Sequence, residues 1–186
     1  MKTNMKIMVI ALVMMSIMTS SFTFADTEGF GAAGATLDSS YTLEEMLIYA
    51  IQDEYLARAE YEAIMDAFDV TRPFSNIMKS EETHITLLEP LFEAYGYEMP
   101  ADTSGIYTHL PSTLNETYAI GVAAEISNIA MYEKFLSGEL PDDVRDVFER
   151  LMNASKNHLK AFERGVSRLE APTARRGGNS ARFSRR

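Results

Sequence analysis

The 186-residue sequence predicts an all-α chain whose four long helices form a bundle, with one longer crossover between the second and third. Three observations carry this reading. Apolar residues recur at alternating spacings of three and four along four long stretches between residues 42 and 169. Residues that start and stop helices stand at the ends of those stretches. No alternation of apolar and polar residues competes as a strand anywhere in that range.

Taken in chain order, the N-terminus has the three parts of an export signal. Lys2 and Lys6 precede a twelve-residue apolar run, Ile7 to Met18, broken only by Ser16, and Thr23-Phe24-Ala25 follows. The run is shorter than the roughly 20 residues that span a bilayer, so residues 1–25 read as a signal peptide cleaved after Ala25, with an uncleaved anchor as the alternative, and the mature chain is expected in a periplasm or outside the cell. Residues 26–41 are small and Gly-rich and read as a flexible lead-in. The first long helix starts at Thr42, with Glu45 completing a capping box, and runs to Phe68. The second starts near Pro73, a residue suited to a first helical position, and stops at Gly96. Pro90 falls inside it and predicts a kink just beyond His84. Residues 96–112 hold Pro100, Gly105 and Pro111 and form the crossover; His109 in it reads as a solvated loop residue. A third helix runs from about Thr113 to Leu136, and a fourth opens on Asp142 and Asp143, whose charges suit a helix N-terminus, and reaches about Leu169. The bundle domain is thus 42–170. Residues 171–186 have the composition of a disordered, solvated tail, whose five Arg also suit contact with anionic lipid or wall polymer.

Charge and cysteine content narrow the function. All 27 acids but only ten of the 17 bases lie in residues 26–170, a net charge of −17. Such a domain is a poor match for a phosphate backbone, which argues against nucleic acid as a partner. The chain has no Cys, so disulfides, thiolate zinc sites and Cys-ligated clusters are excluded, and any metal must be held by oxygen and imidazole.

The core-facing stripes contain the informative exceptions. Read along each helix, they are Leu43, Leu47, Ala50, Glu54, Ala57, Tyr61, Ile64, Phe68; Phe74, Ile77, Glu81, His84, Leu88, Leu91, Tyr95; Tyr118, Val122, Glu125, Ile129, Tyr132, Leu136; and Val144, Phe148, Leu151, Ser155, His158, Phe162. Each is apolar or aromatic except near its middle. Rotating the first two stripes by one position would bury Glu60 or Lys79 and expose Ile64 or Ile77. An ionised carboxylate moved from water to an apolar interior costs several kcal/mol, so three at core positions need a shared reason, and a bound cation supplies one. Glu81 and His84, three apart, share a helix face. Glu54 to His84 spans 30 residues and Glu125 to His158 spans 33, as in two copies of one hairpin facing each other around a site. Carboxylate and imidazole without thiolate suit Fe, Mn or Zn. Tyr61 and Tyr132, two turns beyond Glu54 and Glu125, are placed either to fill the core or to donate hydrogen bonds to ligating groups and trap radicals.

These residues resemble the ferritin-like di-iron carboxylate proteins, rubrerythrin-like members in particular. The family pattern is Glu on the first helix, Glu-x-x-His on the second, Glu on the third and Glu-x-x-His on the fourth. Glu54 within DEYLARAEY, Glu81 and His84 within SEETH, Glu125 within AAEISNIAMYEKF and His158 within ASKNHLKAF fit it, and the phrasing is similar to an exported ferritin-like branch classed as a domain of unknown function. The chain departs from the pattern at Ser155, where the fourth helix of the family carries Glu. The resemblance implies a ferritin-like bundle over residues 42–169 that holds one or two ions, iron first and manganese or zinc next, with a small oxidant as the other reactant. It implies ferroxidase- or peroxidase-type redox chemistry, with an external reductant since no Cys₄ module is present, and pairing into a homodimer. A second reading stands beside it: a non-catalytic envelope interaction module whose metal site has decayed or is only structural.

Overall fold

The structure is a computed structural model and describes residues 29–170. The export segment 1–25, the first residues of the lead-in and the 171–186 tail lie outside the described residues. Within them the chain is all-helical: α1 (Gly31–Ala35), α2 (Leu43–Phe68), α3 (Phe74–Tyr95), a 3-10 turn (Ser104–Ile106), α4 (Leu114–Leu136) and α5 (Asp142–Glu170). No described helix is long and apolar enough to cross a membrane.

The helix ends follow from local chemistry. Thr42 accepts from the Glu45 amide while the Glu45 carboxylate accepts from the Thr42 amide at 2.7 Å, closing a capping box, and Thr113 with Glu116 does the same for α4. α3 ends on Gly96, whose φ of 72° lies in the left-handed region that glycine enters without cost. α3 continues through Pro90 to Tyr95. The crossover is anchored by the Arg58–Asp102 ion pair at 2.6 Å and by Tyr107, which stacks on Phe30 with ring centroids 4.3 Å apart.

α2 packs along α3 and α4 along α5, and the two pairs meet where α2 faces α4 and α3 faces α5. The interior has two apolar zones. One gathers Leu47, Ile51, Leu88, Phe92, Phe135, Phe148 and Leu151; the other gathers Tyr61, Ile64, Phe74, Ile77 and Phe162. Between them along the helices lies a polar layer that is also buried: Glu54, Glu81, His84, Glu125, Asn128, Ser155 and His158.

Two expectations change. Residues 29–41 are packed, not a flexible lead-in. Phe30, Ala32 and Ala35 are buried, the Ala32 amide donates to Asp53 Oδ1 at 2.8 Å, the Gly31 amide donates to Gln52, and Tyr41 donates to the Ala35 carbonyl. Gly31 has φ 56°, and a Cβ there would stand 2.8 Å from Asp53 Oδ1, so the small residues that suggested flexibility are what lets this segment lie against α2. The third stripe is also rotated: α4 buries Thr117, Gly121, Glu125, Asn128, Met131, Tyr132 and Phe135, while Tyr118, Val122, Ile129 and Leu136 are only partly covered. A Cβ on Gly121 would meet the Phe162 ring at 2.8 Å, so that glycine permits the close α4–α5 approach.

Candidate metal centre

The five residues singled out by spacing converge. α2 brings Glu54, α3 brings Glu81 and His84 from adjacent turns of one face, α4 brings Glu125 and α5 brings His158. All five are buried, at 2–8% exposure, in the middle of helices whose flanking turns are apolar. Their burial is therefore imposed by the same periodicity that buries Leu47 and Leu88.

Glu81 is the hinge of the arrangement. Its Oε2 lies 2.8 Å from His84 Nδ1 and its Oε1 lies 3.2 Å from His158 Nδ1. Glu54 Oε2 stands 2.9 Å from His84 Nδ1, and Glu125 Oε1 stands 3.4 Å from His158 Nδ1. The result is two triads, Glu54–Glu81–His84 and Glu81–Glu125–His158, that share one carboxylate and whose ligand atoms lie within 4.8 Å of one another. The imidazole rings are 6.0 Å apart. Two tyrosines cross between the halves: Tyr132 of α4 donates to Glu54 Oε1 at 3.0 Å, and Tyr61 of α2 donates to Glu125 Oε1 at 3.2 Å. Tyr132 thereby holds the Glu54 oxygen that is turned away from His84, whereas Tyr61 holds the same Glu125 oxygen that faces His158. Ser80 approaches His84 Nε2 at 3.1 Å.

Electrostatics follow from burial plus neighbours. Burial disfavours the His84 cation, yet Glu54 and Glu81 outweigh it and push it up to about 10; for His158 the opposing carboxylates win in the same way and push it up to about 9. Burial works against the Glu81 carboxylate, but the two imidazoles hold it below the usual range. Burial and the neighbouring Glu81 push Glu54 up, and burial pushes Glu125 up to about 7. The Tyr61 and Tyr132 phenols are pushed well above their ordinary value by burial and by the carboxylates they face.

The donor set fits a metal. It consists of carboxylate oxygens and imidazole nitrogens only, a set suited to first-row divalent ions. His158 Nδ1 is buried and close to two carboxylates without making a hydrogen bond to either. A buried nitrogen in that state is costly unless something further satisfies it.

Two residues of the site, Asn128 and Asp53, were not anticipated. Ser155, on the stripe of α5, donates to Asn128 Oδ1 at 2.8 Å, and Asn128 Nδ2 donates to Asp53 Oδ2. A hydrogen-bonded chain from Ser155 through Asn128 to Asp53 thus occupies the side of the layer where α5 presents no carboxylate, and burial pushes Asp53 up to about 6. Asn128 had a readable signal, since it lies three residues after Glu125 as His84 lies three after Glu81. Asp53 had none, because it falls next to the α2 stripe. His109 is exposed in the crossover and takes no part in the cluster.

An all-helical protein with a buried carboxylate–histidine cluster is the class that fold and site define. Residues 44–172 match the model of an uncharacterized protein domain, DUF2202, and the chain belongs to that family. The uncharacterized protein MJ0754 of Methanocaldococcus jannaschii is 29% identical over 136 residues, covering 65% of this chain and 73% of that one. The crystal structure of hypothetical protein MJ0754 from Methanococcus jannaschii is similar with a TM-score of 0.63 at 26% identity, over 71% of this chain and 85% of that one.

Proposed function

We propose that this protein is an exported, ferritin-like four-helix-bundle metalloprotein that holds two metal ions, iron or manganese before zinc, and uses them for redox chemistry with a small oxidant, as in Fe(II) oxidation or peroxide reduction. One observation carries the reading: Glu81 presents one oxygen to each of two histidines, and each histidine faces a second, separate carboxylate. Two ions would be held by Glu54, His84 and Glu81 on one side and by Glu125, His158 and Glu81 on the other. A redox-active ion bound there would supply one-electron chemistry with a small oxidant. Export rests on Lys2, Lys6, the apolar run and Ala25.

The chain's own groups perform the remaining tasks. Tyr132 and Tyr61 orient Glu54 and Glu125, so that one oxygen of each stays turned toward its histidine. The apolar zones on both sides of the layer keep bulk water out, which strengthens every charge interaction within it. His84 and His158 must give up the Nδ1 proton to become ligands, so loading releases protons. Three carboxylates against two divalent ions leave a net positive charge, and the site can therefore accept a small anionic ligand.

Elemental analysis of metal per chain tests this, on protein from its native compartment and again after anaerobic Fe(II) loading and desalting. About two ions per chain, a count set by the two triads, supports the proposal. About one reduces it to a mononuclear or zinc site. None in either sample refutes it and favours the interaction-module reading.

A further inference from the structure

Two clefts of different charge approach the buried layer from its sides. On one side a cleft of about 400 Å³ extends to His158 and Ser80 and is lined by Arg72, Arg164 and Arg168. On the other, a cleft of about 340 Å³ lies between α1, α2 and α4; the acids Asp53 and Glu60 line it, and no base does. Behind Asp53 is a small cavity of about 20 Å³ bounded by Glu54, Glu81, Glu125, Asn128 and Ser155. That is room for about one water-sized group. Asp53 and Ala124 belong to the walls of both spaces, so a single layer of side chains separates the acidic cleft from the carboxylates.

Asp53 is held in that partition from both faces. Its Oδ1 accepts from the Ala32 amide of α1 at 2.8 Å and its Oδ2 from Asn128, which is itself fixed by Ser155. The inner space exists because Ser155 is small. A longer acid on α5 would project into it. Glu81 and Glu125, which bound the cavity, face His158 Nδ1, a buried nitrogen with no hydrogen-bond partner, so the cavity leads to a group that calls for a ligand.

We propose that the cleft under α1 is the route by which a divalent cation reaches the Glu/His cluster, and that Asp53 receives the cation from the cleft and hands it to the cavity left open by Ser155. The inference rests on the metal-binding reading above. Charge selects the route: three arginines at the other opening repel a dication, whereas Asp53 attracts it, and such fields change association rates by about ten- to a thousandfold. Glu60 beside it is pushed up to about 8 by burial and adds its charge only as it loses its proton. Because Asp53 lies on the path and outside both triads, it governs the rate of loading and not the amount bound.

Stopped-flow loading of the metal-free full-length chain with Co(II), followed by its visible absorption, tests this. Asp53→Asn should slow loading about tenfold or more and leave cobalt per chain at the parental value. Ser127→Phe, an exposed position on the α4 wall of the cleft, should slow it by obstruction without touching Asp53, and carries the test alone should Asp53→Asn lose helicity by circular dichroism. Arg164→Ala at the opposite opening should load no more slowly than the parent. Parental rates and parental cobalt content in both cleft variants overturn the route while leaving the metal-binding reading intact. A parental rate with less cobalt in Asp53→Asn makes Asp53 a ligand and overturns the transfer role. A parent chain that takes up no Co(II) refutes the proposed function and this route with it.

Discussion

Sharing of Glu81 between two triads gives an asymmetric expectation for alanine substitutions. Glu125→Ala removes a ligand from one triad only, whereas Glu81→Ala removes one from both. A ligand that binds only the folded state at about 100 times its dissociation constant stabilises it by about 2.7 kcal/mol. Two sites therefore contribute roughly 5 kcal/mol, and at roughly 2–4 °C per kcal/mol for a chain of this size the parent's melting temperature should rise by roughly 10–20 °C on loading. Glu125→Ala should keep about half of that rise and bind one ion, and Glu81→Ala should show neither rise nor metal. Each variant is compared with its own metal-free form, so the structural cost of the substitution, such as the acceptor that Tyr61 loses in Glu125→Ala, cancels. Calorimetry with and without Co(II) or Fe(II), plus elemental analysis of the same samples, gives both numbers. A metal-dependent rise that survives Glu81→Ala, or two ions retained by Glu125→Ala, would refute the shared-carboxylate site.

Further outcomes follow from the same geometry. In the metal-free chain the folded-state values of His84 and His158, about 10 and about 9, lie above the ordinary 6.5. Their stabilisation is complete below about pH 6.5 and disappears as pH rises through 9 to 10, so metal-free thermal melts should fall over that window, while the increment from bound metal, which needs neutral imidazoles, grows with pH from the acid side. Gly121→Ala drives a methyl group to 2.8 Å from the fully buried Phe162 ring and should cost about 1–3 kcal/mol in urea unfolding, with metal content unchanged. Phe30→Ala removes the buried ring that stacks on Tyr107 and should make the segment before α2 sensitive to limited proteolysis well before the long helices; equal resistance in parent and variant would contradict the packing of α1.

Much of this molecule is legible locally. Thr42 with Glu45 and the glycine at 96 mark helix ends because capping satisfies backbone groups within a few residues of chain. The α5 stripe from Val144 to Phe162 is buried at every position read from the sequence, since charged residues dominate the opposite side of that helix and leave one face rich in apolar residues. α4 is harder because apolar residues lie all round it: Ile126 is 53% exposed, while Asn128 is buried. Its rotation is set by contacts the sequence does not display, chiefly the seat of Phe162 against Gly121 and the hydrogen bond from Ser155 to Asn128.

The amino-acid sequence by itself determined the four long helices, their ends, and the presence of Glu54, Glu81, His84, Glu125 and His158 at interior positions, because helical periodicity puts residues three and four apart on one face. Tertiary structure alone decided that Glu81 lies between the two histidines, that Tyr61 and Tyr132 cross to the opposite half, and that Gly31 and Ala32 close over Asp53. Those outcomes depend on the approach of segments about 20 to 80 residues apart in the chain, and a distance between helices is fixed by packing that no local pattern encodes.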